Sequence, residues 1–245
     1  MNEVFIGTSG WNYKHWKEIF YPSNISQRKW LEFYCERFST VEVNATFYRR
    51  LKSKTFERWY DITPKGFLFS IKANRFITHV KRLVDVDEAL TNLYKDVELL
   101  KEKLGAILFQ LPPSLKYDYK IVKNFLNKLD PNIKTTIEIR NKSFLVEEFF
   151  KLLQDANIAL CISDTAGRYP ISYEITSDFL YIRLHGSKAL YRSRYTIEEL
   201  NTWANFIKSS SRGGFVFFDN DFDGNAVINA KELIEILKQK GVTTK

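Results

Sequence analysis

Strand-like and helix-like segments alternate from one end of the chain to the other. Eight apolar segments predict strands that begin near Glu3, Thr40, Phe67, Ala106, Thr135, Ile158, Phe179 and Gly214. The spacing gives roughly thirty residues for each strand, which is the size of one βα unit. Eight such units predict an α/β fold, a single (β/α)8 TIM-type barrel of parallel strands that spans residues 1–245 as one domain. A doubly wound open sheet is the alternative, although no GxGxxG or Walker loop follows the first strand.

Capping residues predict where several helices begin and end. Capping boxes are expected at Asp85 with Glu88 and at Thr196 with Glu199, an N-cap at Ser143, and helix ends at Gly105 and Gly241. The segment 165–178 contains Gly167 and Pro170 and has no helical periodicity. The sixth helix is therefore expected to be short or irregular.

Several predicted strands become polar at their C-terminal ends, on one side-chain parity only. In the second strand, Val41 and Val43 alternate with Glu42 and Asn44. The same pattern recurs at Lys72 and Asn74, at Glu138 and Arg140, and at Arg183 and His185. Alternate residues of a strand point to opposite faces, and unpaired charges are too costly to bury repeatedly in a core. The pattern therefore predicts one shared polar site at the carboxyl ends of the strands.

The residue types at these strand ends indicate acid–base chemistry on an anionic substrate. The predicted proton-transfer residues are Glu138, His185 and Glu42. The predicted anion-binding residues are Arg140, Arg183 and Lys72, and the predicted substrate-orienting residues are Asn44, Asn74 and Gln110. Structural interpretations stay open beside these roles: a buried ion pair of Glu42 with Lys72, and an Arg140 that only neutralises Glu138.

Acidic and amide side chains end two further strands. Asp164 ends the sixth strand, and Asp219 and Asn220 end the eighth, so these three are predicted to line the site. They could also ligate a divalent metal together with the glutamates. No HExxH motif or dense histidine cluster is present, so no cofactor is expected and a divalent metal remains an alternative.

The segment that begins at Asp219 imitates an EF-hand loop. Its twelfth position is Ala230, where calcium binding requires a bidentate Glu. Gly224 and Asn225 instead indicate a turn into the last helix.

Aromatic residues are concentrated in the loop that follows the first strand. Trp11, Tyr13 and Trp16 lie in this loop, and Tyr48 follows the second strand. Together they could form a stacking wall for a sugar or a nucleobase. The alternative is a plug that covers the barrel mouth.

Charge and cysteine content restrict the class of protein only loosely. The chain has 37 Lys and Arg against 29 Asp and Glu, a formal net charge of +8, without any block of five like charges. Phosphorylated substrates and nucleic acid therefore remain possible partners. Cys35 and Cys161 belong to no CxxC motif, so packing roles are expected. No signal-peptide pattern and no apolar run of about 18 residues is present, which predicts a cytoplasmic protein without a membrane partner.

Six motifs in a fixed order resemble a known family. They are GTSGWNYKHWKEIFYP, VEVNATFYR, FQLPPS, EIRNKSF, YIRLHG and FFDNDFDGNAVINA, and they cover residues 5 to about 230. Together they resemble the YecE-like proteins, the domain-of-unknown-function family seventy-two. The resemblance implies a TIM-type barrel without an established reaction. The chain departs from the family pattern at Asn141 and Phe144, where members often have His and Trp, and at Asp219, where many have Asn.

The sequence thus predicts an uncharacterised enzyme, a hydrolase or lyase, that acts on a small polar or phosphorylated substrate. The first alternative is a nucleic-acid-binding protein or a metal-dependent nuclease-like barrel, which would bind nucleic acid with a steep dependence on salt. The second alternative is a non-catalytic barrel that binds a metabolite without turnover. The oligomeric state cannot be read from these patterns.

Overall fold

The computed structural model describes residues 3–245 and shows an α/β fold. Its strands are β1 (Val4–Thr8), β2 (Thr40–Val43), β3 (Leu68–Lys72), β4 (Leu104–Gln110), β5 (Thr135–Glu138), β6 (Ala159–Leu160), β7 (Ile162–Asp164), β8 (Leu180–Leu184) and β9 (Gly214–Phe218). All eight predicted strands are therefore confirmed. The sixth is interrupted at Cys161, which divides it into β6 and β7.

Helices lie between most of the strands. They are α1 (Trp30–Cys35), α2 (Ala45–Tyr48), α3 (Ser53–Ile62), α4 (Asp87–Val97), α5 (Tyr119–Leu126), α6 (Glu147–Asp155), α7 (Ile197–Ser210) and α8 (Asn225–Gln239). A π-helix covers Phe76–Val80 after β3. Residues 165–178 contain no helix, so the sixth helix, which was expected to be short or irregular, is absent from this segment. Within residues 3–245, every helix is too short or too polar to cross a membrane.

The strands form two parallel sheets. One sheet has the order β1-β9-β8-β7, and the other has the order β2-β3-β4-β5-β6. The register aligns the carboxyl ends of neighbouring strands, since Thr8 faces Phe218 and Gln110 faces Glu138. An α/β fold with parallel sheets is confirmed, and closure into a single eight-stranded barrel stays a prediction.

The chain divides into two compact units. The first contains the residues up to Glu42, Ser163–Arg168 and Asp178–Lys245, and the second contains Val43–Ile162 and Tyr169–Ser177. In the first unit, α7 and α8 bury apolar faces that include Leu200 and Leu233. In the second unit, strand residues such as Phe109 and helix residues such as Phe125 form the core, with ring centroids 5.2 Å apart.

One predicted capping box is confirmed and the other is wrong. Thr196 and Glu199 form the expected reciprocal hydrogen bonds at the start of α7. Helix α4 instead begins at Asp87, after Val86, without a side-chain cap. Asp85 has a φ of 51°, a left-handed conformation that belongs to the turn after the π-helix and is incompatible with the β-region backbone of an N-cap.

Two other predicted boundaries are wrong because short 3₁₀ helices intervene. Gly105 does not end a helix but lies inside β4, since α4 ends at Val97 and a 3₁₀ segment covers Glu98–Lys103. Ser143 does not cap α6, which begins at Glu147. Its hydroxyl accepts a hydrogen bond from the backbone N–H of Tyr117 instead.

Candidate functional site

The first unit contains a buried ionic network built on β8. Tyr181, Arg183 and His185 alternate along the chain, so their side chains point to the same face. Glu42 of β2 accepts a hydrogen bond of 2.8 Å from the Tyr181 hydroxyl. It also accepts bonds of 2.9 Å from Nε and 2.7 Å from Nη2 of Arg183. The Glu42 and Arg183 side chains are 0% and 1% exposed, so this is a fully desolvated bidentate pair.

The same guanidinium fixes the tautomer of His185. Arg183 Nη1 lies 3.2 Å from His185 Nε2, and a guanidinium can only donate, so Nε2 accepts. In the neutral ring the proton is then on Nδ1, which lies 2.9 Å from Asp219 Oδ2. Arg183 Nη2 also lies 3.2 Å from Asp219 Oδ2. His185 is completely buried; its Nε2 contacts Arg183, whereas its Nδ1 makes no hydrogen bond of good geometry although Asp219 Oδ2 lies close to it.

Other predicted site residues of this unit hold the loop after β8. The hydroxyl of Tyr195 donates to Asp164 Oδ2 at 2.8 Å, and burial together with Asp164 raises the pKa of Tyr195. Asn220 Nδ2 donates to Asn229 Oδ1 at 2.9 Å and to the Ser193 carbonyl at 3.0 Å. Asp164 and Asn220 therefore help to hold this loop, and their predicted place in a substrate site stays a prediction.

The aromatic first loop packs on the end of β9. Trp16 is fully buried, and its Nε1 donates to Asp221 Oδ1 at 2.6 Å. Burial raises the pKa of Asp221, while His15, whose Nε2 lies 3.1 Å from Asp221 Oδ2, lowers it. The backbone carbonyl of Trp11 accepts a hydrogen bond from Tyr21.

The aromatic residues of the predicted stacking wall differ in their exposure to solvent. Trp16 is buried, as in a plug, whereas Tyr48 belongs to the second unit and is 72% exposed. The stacking role of this wall stays a prediction.

The second unit contains a different charged group at the ends of β4 and β5. Gln110 Nε2 lies 2.9 Å from both carboxylate oxygens of Glu138. Arg140 Nε donates to Glu138 Oε1 at 2.9 Å, and its Cζ lies 4.6 Å from the centre of the Tyr169 ring. The Arg140 side chain is 13% exposed, whereas that of Glu138 is 1% exposed. This geometry is compatible with both interpretations of Arg140 from the sequence. Arg140 neutralises Glu138, and its side chain also reaches solvent, where an anion could bind.

A histidine joins the cations of this unit. The Lys72 ammonium lies 4.3 Å from the centre of the Phe47 ring, which stacks edge to face with His79. Partial burial, followed by the positive charges of Lys72, Arg140 and Arg75, lowers the pKa of His79 to about 4, although Glu138 acts in the opposite direction. The half-buried His79 is therefore neutral at pH 7, with Nδ1 2.8 Å from the Thr78 hydroxyl. We call Lys72, His79, Glu138 and Arg140 the cationic cluster.

The predicted orienting residues Asn44 and Asn74 shape the backbone beside this cluster. Asn74 Nδ2 donates to the Thr46 carbonyl at 3.0 Å, and its Oδ1 accepts from the Phe76 N–H at 2.9 Å. It thereby fixes the start of the π-helix. Asn44 immediately precedes α2, and its carbonyl accepts from the Phe47 N–H at 3.1 Å.

The structure divides the predicted catalytic residues between the two units. The first unit holds Glu42, His185, Arg183, Asp164, Asp219, Asn220 and Trp11, and the second holds Glu138, Arg140, Lys72, Asn44, Asn74, Gln110 and Tyr48. A common site for Glu42, His185 and Glu138 stays a prediction, as does the pairing of Glu42 with Lys72. Across residues 3–245, no group of three or more His, Cys, Asp and Glu side chains is arranged to hold a metal ion.

Sequence reasoning missed His79. The residue does not end a strand but lies in the π-helix, and a π-helix has no periodic sequence signature comparable to that of an α-helix. The available signal was the residue types: a histidine and three basic residues follow the polar end of the third strand within NRFITHVKR.

Comparison with known proteins identifies the family. The protein-family model described as "Protein of unknown function DUF72" matches residues 5–245, so the chain belongs to this family. It is 25% identical to UPF0759 protein YunF of Bacillus subtilis, over 96% of this chain and 94% of that protein. A DUF72 family protein of Thermotoga maritima has a similar structure, with a TM-score of 0.86 and 29% identity over 97% of this chain and all of that one.

A second solved structure shares the fold at lower identity. It is a DUF72 family protein of Enterococcus faecalis, with a TM-score of 0.83 and 18% identity over 96% of this chain and 95% of that one. The predicted family membership is confirmed. No specific activity comes with it.

Proposed function

We propose that this protein is an enzyme that binds a small anionic substrate at the cationic cluster and transfers protons there. The observation that carries the proposal is the position of His79, a half-buried imidazole on which three cations act. Neutral imidazole beside cations is a ready proton acceptor once an anion arrives, because the anion offsets their charge. Perturbed titration beside specific charges is typical of functional sites.

The residues of the cluster have complementary chemistry. Arg140 donates Nε to Glu138, and its planar guanidinium is the type of group that matches the two oxygens of a phosphate or carboxylate. Lys72 adds a second positive charge. His79 and Glu138 are the two proposed proton-transfer groups, and a pair of acid–base side chains in different environments suits hydrolysis or elimination.

Turnover of a substrate panel tests the proposal. The wild-type protein would be incubated with small phosphorylated and carboxylated compounds, and products would be detected by mass spectrometry. Glu138→Gln is expected to abolish any turnover while the melting temperature stays near that of the wild type. Glu147→Gln, an exposed change in the first turn of α6, is the matched control and should retain activity.

Two results would contradict the assignment. If Glu138→Gln unfolds the protein while a folded fraction keeps full turnover, Glu138 is structural. If compounds bind tightly without any product after long incubation, the protein is the non-catalytic metabolite-binding barrel.

We also propose that the two sheets are parts of one (β/α)8 barrel and that the chain is a single domain. Support comes from the regular alternation of strands and helices, from the sequential order of β2 to β6, and from the pairing of the first strand with the last. A crystal structure tests this, since an open sheet with two free edges would contradict it.

Nucleic acid is the second candidate ligand, favoured by the net charge of +8. Binding to single- or double-stranded DNA or RNA should then weaken steeply as salt increases, because phosphate contacts release counterions. Fluorescence anisotropy at several salt concentrations would measure this. Nuclease activity that requires added Mg²⁺ would favour the metal-dependent alternative.

A further inference from the structure

A cavity opens in the second unit, with a volume of about 310 Å³. Its floor is apolar and comes from Phe56 of α3, Ile71 of β3 and Leu93 of α4. Phe76 and Ile77 of the π-helix form one wall. The volume lies at the small end of the range for ligand pockets, and such pockets typically combine apolar walls with a few polar groups.

The polar groups of this cavity carry one net positive charge. Arg50 donates to both oxygens of Asp96, at 2.8 and 2.9 Å, and its Nη1 donates to Asn92 Oδ1 at 3.0 Å. This bidentate pair neutralises itself and fixes the chain before α3 against α4. Arg49 also lines the cavity, is exposed to solvent, and adds the remaining positive charge.

We propose that this cavity binds a small amphipathic carboxylate. The apolar body would occupy the space against Phe56 and Leu93, and the carboxylate would pair with the Arg49 guanidinium at the mouth. Cationic ligands are disfavoured by the charge of Arg49, and larger ligands by the volume.

The π-helix connects this cavity with the cationic cluster. Phe76 and Ile77 line the cavity, and the two following residues, Thr78 and His79, reach the cluster. The backbone bond from the Lys81 N–H to the Phe76 carbonyl closes the π-turn at 2.8 Å. A π-turn contains one residue more than an α-turn. A ligand that contacts Phe76 could therefore shift the backbone of the π-helix by this extra residue. Occupation of the cavity should therefore alter the surroundings of His79.

Titration of the full-length chain with octanoate tests the proposal by NMR. Saturable shifts of residues around the cavity are expected, and neutral octanamide should bind more weakly. Arg49→Gln should weaken octanoate binding roughly fivefold, the size expected for a partly exposed ion pair. Lys54→Gln makes the same change of charge on the exposed face of α3 outside the cavity, and it should leave binding unchanged.

A substitution that fills the cavity provides an independent test of the proposal. Ala89→Phe places a ring in the cavity from α4 and should abolish octanoate binding, provided that its melting temperature shows a folded protein. The His79 ring resonances should shift with octanoate in the wild type and not in Ala89→Phe.

Three results would overturn the proposal: no saturable binding, equal affinity in Arg49→Gln and the wild type, or full binding by folded Ala89→Phe. Bound octanoate that leaves the His79 resonances unchanged would overturn the connection through the π-helix. These readouts require no turnover, so their failure is distinguishable from a failure of the proposed enzymatic function.

Discussion

In the first unit, two carboxylates, Glu42 and Asp219, surround the single guanidinium of Arg183, and Glu42 and Arg183 are completely buried. In the second unit the balance is reversed, because three cations act on His79 and only Glu138 opposes them. The donors and acceptors of the buried Glu42–Arg183 pair already bind one another, so this pair has little left to offer a ligand. A partly exposed group of side chains with excess positive charge attracts an anion, because the anion offsets that charge. This difference supports the proposal of substrate binding at the second group, and we expect a structural role for the Glu42–Arg183 pair of the first.

The largest expected effect is the loss of stability when Arg183 is replaced. Arg183→Met leaves the Glu42 carboxylate buried without its bidentate partner, which should cost about 3–5 kcal/mol of unfolding free energy. Urea denaturation would measure it. Arg37→Met is the control in the same unit, since its ion pair with Glu36 lies at the surface and should contribute at most about 1 kcal/mol. A loss below about 1 kcal/mol for Arg183→Met would contradict the structural assignment.

The second expected effect is on anion affinity. Arg140→Gln should weaken the binding of inorganic phosphate at least about tenfold, because a charge-assisted contact contributes roughly 1.5–3 kcal/mol. Isothermal titration calorimetry would measure the affinity, with Arg58→Gln on the exposed face of α3 as the control. If both variants bind phosphate as the wild type does, the cationic cluster is not the anion site.

The third and smallest expected effect is on the pH dependence of stability. The pKa of His79 is about 4 in the folded protein and about 6.5 in the unfolded chain, so the unfolded chain binds the additional proton between these values. The contribution of His79 is therefore complete above pH 6.5 and is lost as the pH falls towards 4. After allowance for its partial exposure, we expect a loss on the order of 1–2 kcal/mol.

Comparison of His79→Asn with the wild-type protein isolates the contribution of His79 to the pH dependence of stability. In His79→Asn the fall in unfolding free energy between pH 7 and pH 4.5 should be smaller than in the wild type. Equal falls in the two proteins would show that His79 has an ordinary pKa.

The strands and the polar strand ends could be predicted because both follow from a local rule. Alternation with a period of two placed Glu138 and Arg140 on one face, and the structure joins them at 2.9 Å. The partner of Glu42 could not be predicted in the same way. Arg183 lies 141 positions further along the chain, and no local pattern states which strands meet.

The misses occur where the backbone departs from regular periods. Asp85 has the sequence of a capping residue, but the left-handed turn that includes Leu83 fixes its backbone outside the N-cap region. His79 was missed because the π-helix brings it to the cluster without any periodic signal. These two misses lie in one segment, the chain between β3 and α4.

The pKa of His79, measured by NMR with and without saturating inorganic phosphate, tests the central claim most directly. His79→Asn assigns the resonance among the three histidines. The account predicts a pKa near 4 in the free protein and a higher value with phosphate, because the bound anion offsets the charges of Lys72 and Arg140. A pKa near 6.5 that does not respond to phosphate would contradict it.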